Sequence, residues 1–86
     1  MKTQSIHSIR AVKNLNNDTI LIYRATYLSE RDFEIAIERY MGDNMTEASS
    51  AQLCADASSI ENLLKNMCLG SLEPCHLKDV LEDMCN

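Results

Sequence analysis

The densest run of β-branched and aromatic residues in the chain extends from Thr19 to Leu28, with the sequence TILIYRATYL. Residues of this kind suit the pleated surface of a sheet, so the run predicts a β-strand. The preceding segment 14–18, NLNND, is rich in Asn and Asp, which tolerate turn conformations. Residues 5–13 then become the partner strand of an N-terminal hairpin.

A helical interpretation of the same region stays open. Ile6, Ile9, Val12 and Leu15 recur at a spacing of three, and Asp18 is a suitable cap for a second helix that continues from it. This alternative turns the predicted fold into an all-α one.

After Ser29 the pattern predicts helices. Ser29 and Asp32 have the spacing of a capping box, with Asp in the place of Glu. The apolar residues that follow share one face of a helix, and Gly42 is a natural end for it. That face contains Phe33, Ala36, Ile37, Tyr40 and Met41.

A second, longer helix is predicted from Thr46 to Gly70. Its apolar residues step by four and three, as in the seam of a coiled coil, although the seam covers too few heptads to establish one. The first part of the segment is rich in Ala and Ser, which allow another backbone to approach closely. The seam consists of Leu53, Ala57, Ile60, Leu64 and Met67.

The third predicted helix is capped by Ser71 and has Pro74 in its first turn, where a missing N–H costs little. Its apolar stripe is Leu77, Val80, Leu81 and Met84. The predicted fold is therefore an α-rich α+β domain, an N-terminal strand or hairpin followed by three helices, over residues 1–86.

The short length of the chain favours self-association. An 86-residue chain buries a modest core, and small domains often gain stability from a second subunit. We expect a homodimer or tetramer, in which two apolar stripes form the oligomer or partner interface. An intramolecular seam would give the same sequence pattern. The predicted interface residues are Leu53, Ala57, Ile60, Leu64, Met67, Leu77, Val80, Leu81 and Met84.

The net charge of −5 lies entirely in the second half of the chain. Residues 1–45 carry six basic and six acidic groups, whereas residues 46–86 carry two lysines and seven acidic groups. The acidic second half of the chain repels phosphate and favours a basic protein surface, so we expect a basic or DNA-binding regulator as partner. Residues 1–29 carry four basic groups and one acidic group, and they support a weaker alternative, direct DNA binding.

Catalytic and metal chemistry have few candidates in this sequence. Cys68, Cys75, His76 and Cys85 are zinc-ligand types, but they lack the closely spaced cysteine pair of structural zinc sites. Cys75 and His76 form a conceivable nucleophile and base without an orienting third group. The two glycines make no phosphate loop. We therefore predict no catalytic residue, no metal and no cofactor.

The expected localisation and function follow from the hydrophobicity, size and charge of the chain. No apolar run approaches the length of a signal or membrane segment, so we expect a cytoplasmic protein whose four cysteines are thiols. In size, acidity and character the chain resembles small phage or bacterial antirepressors and anti-adaptors, with no shared motif. The resemblance implies a small regulator that disarms another protein. Together with the acidic second half and the expected self-association, it predicts a homo-oligomeric regulator that sequesters or inhibits a DNA-binding regulatory protein. The alternative is a secretion chaperone, antitoxin or immunity protein that covers a client.

Overall fold

A computed structural model of the protein describes residues 8–85, with side chains up to residue 83. Four antiparallel strands follow one another in chain order, and two helices come after them. The strands are β1 (Ser8–Asn14), β2 (Thr19–Ser29), β3 (Asp32–Met41) and β4 (Asn44–Cys54), and the helices are α1 (Ala57–Leu69) and α2 (Leu77–Cys85), with a 3-10 helix (Pro74–His76) before α2.

The predicted N-terminal hairpin is confirmed over the described residues, while residues 5–7 of its predicted first strand lie outside them. Strands β1 and β2 pair in antiparallel register from Ser8 opposite Thr26 to Asn14 opposite Ile20. The side chain of Asn16 holds the connecting turn, because its Oδ1 accepts hydrogen bonds from the backbone N–H groups of Asp18 and Thr19, both at 2.9 Å. The helical alternative is wrong for the described part of this region; Ile6 lies outside the described residues.

The helix predicted after Ser29 is wrong, because residues 32–41 form β3. Ser29 Oγ does donate to Asp32 Oδ2 at 2.9 Å, but across the two-residue turn between β2 and β3 instead of at a helix start. Phe33, Ile35 and Ile37 are buried at every second position, which is the period of a strand.

The helix predicted from Thr46 to Gly70 is also wrong in its first part, because residues 44–54 form β4. The helix begins only at Ala57, where Asp56 Oδ1 accepts a hydrogen bond from the N–H of Ser59 at 3.0 Å. That bond holds the pKa of the Asp56 carboxyl below its usual value. The predicted α-rich fold and its all-α alternative are therefore wrong, and so is the description of the chain as helical. The chain has a β-rich α+β fold.

The last helical segment is confirmed with a different start. Gly70 ends α1, and its N–H donates to the carbonyl of Asn66 at 3.0 Å. Pro74 begins the 3-10 helix, but the residue in the cap position is Glu73 instead of Ser71. Ser71 has a φ of 53°, so it lies in the tight turn after α1.

Both helices pack on one face of the sheet, α1 over β1 and β2 and α2 over β4. The core lies between these two layers, and the Cα trace is only 18 Å thick. Along each strand the side chains alternate, so the opposite sheet face carries no helix among the described residues. The buried core comprises Leu21, Tyr23, Ala25, Phe33, Ile35, Ile37, Leu53, Ile60, Leu63, Leu64, Met67, Leu77 and Leu81.

The two glycines give a matched test of this fold. Gly42 lies in the turn between β3 and β4 with φ +64°, whereas Gly70 has φ −88°. We expect Gly42→Ala to destabilise the protein by about 1 kcal/mol, because an L residue is strained in the left-handed region. Gly70→Ala, whose Cβ would meet only ordinary contacts, should change stability by a few tenths of a kcal/mol. Chemical denaturation measures both, and equal effects would contradict the turn geometry.

Candidate functional site

The sheet face turned away from the helices is called the open face. Its membership follows from the strand register, because residues directly opposite one another in paired strands lie on the same face. Its central residues are Arg10, Val12, Ile20, Ile22, Arg24, Thr26, Glu34, Ala36, Glu38, Tyr40, Ala48 and Ser50.

One end of the open face is apolar. Val12 lies opposite Ile22, and Ile20 lies opposite Tyr40. Ile22 is only 7% exposed, because neighbouring side chains on the open face cover it, whereas Val12 is 45% exposed. This end therefore presents apolar surface that the chain's own helices do not bury.

Charged residues occupy the centre of the open face. Arg24 Nη2 forms an ion pair with Glu38 Oε1 at 3.3 Å, and the hydroxyl of Tyr40 donates to the same oxygen, also at 3.3 Å. Glu38 is largely covered, with 15% of its side chain exposed, whereas Arg24 is 38% exposed. Arg10 lies directly opposite Arg24. The open face is thus basic on β1 and β2 and acidic on β3.

A shallow hollow of about 380 Å³ lies beside this ion pair. Small side chains on β3 and β4 line it together with Glu34, Glu38 and Arg24, so its charged lining carries two carboxylates and one guanidinium; the small residues include Ala36, Ala48 and Ser50. Since Ala36 is opposite Ser50 in the register, the hollow runs across the two strands. Its size and charge suit a long cationic side chain better than a small-molecule substrate.

The outer side of α2 forms a second, acidic surface. Leu77 and Leu81 face the core, whereas Asp79, Glu82 and Asp83 are exposed, with Lys78 as the cation in the same helix. Neither of the two ion pairs within the described part of the chain, Arg24–Glu38 and Arg39–Glu73, includes these three carboxylates.

The residues predicted as an oligomer or partner interface lie mostly inside the protein. Leu53 is buried on β4, Ile60, Leu64 and Met67 are buried on α1, and Leu77 and Leu81 are buried on α2. Ala57 is exposed and Val80 is half-buried. Met84 lies in α2, and its side chain is outside the described residues. Six of these nine residues are therefore buried within the chain itself, between its sheet and its helices.

The candidate chemical groups are not brought together. Cys54, Cys68 and Cys75 are free thiols, and His76 lies exposed beside Cys75. Over the described residues no three Cys, His, Asp or Glu side chains are placed to share a metal ion. The side chain of Cys85 is outside the described part. These groups form neither a metal centre nor a nucleophile–base pair with an orienting group in the described residues.

The open face is the site that the sequence prediction missed. Arg24, Glu38 and Tyr40 come from two strands, and one of those strands was predicted as a helix. A signal was present, because Glu34, Ala36, Glu38 and Tyr40 alternate with Phe33, Ile35, Ile37 and Arg39.

Comparison with known proteins places the chain in one family. None of the helices in the described residues is long and apolar enough to cross a membrane. No curated protein and no solved structure shows significant similarity to the chain. The model of DUF6514, a family of unknown function, matches residues 3–86, and the chain therefore belongs to this family.

Proposed function

We propose that this chain is a cytoplasmic, non-catalytic regulator that sequesters a basic, DNA-binding regulatory protein and works as a homo-oligomer. The observation that carries the proposal is the acidic outer surface of α2, where Asp79, Glu82 and Asp83 are exposed on a helix anchored by its buried face. A rigid helix presents such charges in a fixed arrangement, as recognition of a partner surface requires.

Electrostatics supports a basic partner. The whole chain carries a net charge of −5, and the carboxylates of α2 are not neutralised by an ion pair within the described part. A DNA-binding protein presents a basic surface to phosphate, so an acidic surface competes for the same groups. Complementary charge mainly accelerates the encounter, and salt screens it.

The first experiment captures partners of the tagged protein from its native cell lysate and identifies them. We expect a DNA-binding regulator whose occupancy of its operator falls when the purified chain is added. Capture of a client that binds no DNA, such as a toxin or a secreted protein, would contradict this proposal and favour the chaperone, antitoxin or immunity alternative.

A charge variant then tests the surface. Asp79→Asn, Glu82→Gln and Asp83→Asn combined should lower the association rate with the captured regulator about tenfold at low salt, because the steering charge is removed. The matched control, Asp18→Asn, Glu30→Gln and Asp43→Asn, changes the net charge equally at exposed positions in the three hairpin turns. Surface plasmon resonance measures both rates. Equal losses in the two variants would show a general charge effect and remove α2 as the contact.

A further inference from the structure

We propose that the open face is the contact surface between two copies of this chain, related by a two-fold axis that runs roughly along the strands between β2 and β3. The inference deepens the self-association part of the proposed function and rests on it. It places the acidic α2 helices on the two outer sides of the dimer, so the regulator surface stays accessible.

The open face has the character of an interface. Val12, 45% exposed, together with Ile20 and Tyr40 forms an apolar end around the buried Ile22. A two-layer domain with an 18 Å Cα thickness buries only one side of its sheet. A second sheet packed about 10 Å away would bury the other side, as in a β-sandwich.

Two-fold symmetry brings opposite charges together. An axis along the strands places β2 of one copy over the partner's β3, at the same level along the strands. Arg24 is the register neighbour of Ala36, so Arg24 of one copy faces the partner's Ala36. Glu34 and Glu38 lie two residues to either side of Ala36 on the same face. Each guanidinium therefore meets two carboxylates, and the symmetry repeats this contact.

The shapes also match. The hollow of about 380 Å³ lies at Ala36 and Ala48, with Glu34 and Glu38 among its walls. It lies where the symmetry places the incoming Arg24 side chain. That side chain is 38% exposed and held by a single 3.3 Å contact to Glu38, so it can turn outward at little cost.

The available area suits a specific dimer. The strands contain 7, 11, 10 and 11 residues. At about 4.8 Å between strands and about 3.4 Å per residue, the sheet covers roughly 20 by 30 Å. That footprint of about 600 Å² per copy approaches the roughly 800 Å² per partner of a standard interface. The acidic α2 helices of the two copies lie on the far sides of the two sheets. Salt therefore screens the repulsion between them.

The test is a charge swap followed by light scattering. The wild-type protein should be a dimer. Arg24→Glu should raise its dissociation constant about tenfold or more, and so should the double variant Glu34→Arg, Glu38→Arg, because each puts like charges in contact. An equal mixture of the two variants should form a heterodimer, since both contact sites then pair opposite charges. The control Lys65→Glu, on the exposed side of α1, should stay dimeric.

Several results would overturn the inference: a wild-type monomer at every concentration, a dimer unaffected by Arg24→Glu, or a mixture that stays monomeric while circular dichroism shows both variants folded. If a variant fails to fold, the wild-type dissociation constant is measured against salt, where a rise supports the charged contact and a constant value overturns it. A monomer that still captures the regulator removes the dimer alone, whereas a dimer that captures none removes the regulator binding alone.

Discussion

Replacing Ile35 with alanine is expected to destabilise the protein by about 2–5 kcal/mol. Ile35 is fully buried on β3, one of the two central strands, and it packs in the core between the sheet and the helices. The substitution removes three carbons and leaves a cavity that rigid strands on both sides cannot fill. Denaturant unfolding followed by circular dichroism measures the loss as a lower midpoint with an unchanged slope.

The matched control is Ile20→Ala, which makes the same chemical change on β2 but on the open face. Ile20 is only half-buried there, opposite Tyr40. At protein concentrations where the chain is monomeric, we expect a loss of about 1 kcal/mol, since less apolar surface returns to water and no closed cavity forms. Equal losses at the two positions would contradict the assignment of faces. The pair also distinguishes a strand from the helix predicted between Ser29 and Gly42, whose apolar face does not include Ile35.

The N-terminal hairpin was predictable because local and tertiary preferences agree there. Residues 19–28 favour a strand by residue type, and Asn16 supplies the side-chain acceptor that a turn needs. Each signal lies within a few residues of the structure that it predicts, so the local sequence alone is enough to predict this hairpin.

The two helices predicted after Ser29 and from Thr46 are wrong over the segments that form β3 and β4, because the local signals there fit two structures. Ser29 and Asp32 can cap a helix or close a hairpin turn, and only the pairing of β2 with β3 decides between them. Strand β4 is rich in Ala, Ser and Glu, which have no strong strand preference. Its conformation comes from hydrogen bonding to β3, a long-range contact that periodicity does not report.

The candidate site depends on the same long-range pairing. Arg24 and Glu38 are fourteen residues apart in sequence and meet only because β2 and β3 pair. The spacing of Ile60, Leu64 and Met67 indicates one apolar face of a helix, but the sequence does not show that the chain's own sheet covers it. Because the chain forms a sheet and two helices, its own core buries that apolar face. The surface left uncovered is the open face of the sheet.

The buried hydroxyl of Tyr23 predicts a loss of stability at alkaline pH. Tyr23 is fully buried on β2, and its hydroxyl donates to the carbonyl of Leu72 at 3.0 Å. Burial, with smaller contributions from the nearby Cys68 and Glu73, raises the pKa of this phenol from 10.0 to about 12. The neutral form is therefore the one that the fold stabilises.

Between pH 10 and 12 the unfolded chain releases the Tyr23 proton while the folded chain retains it, so stability falls as pH rises through this window. At pH 11 the wild-type protein should have lost roughly 1.4 kcal/mol through this group. Tyr23→Phe should cost about 1 kcal/mol at pH 7, since the Leu72 carbonyl loses its donor, but it cannot titrate. The stability difference between the two proteins should therefore shrink or reverse between pH 9 and 11. Denaturant unfolding at each pH measures it, and parallel curves would show that this hydroxyl is not held neutral by the fold.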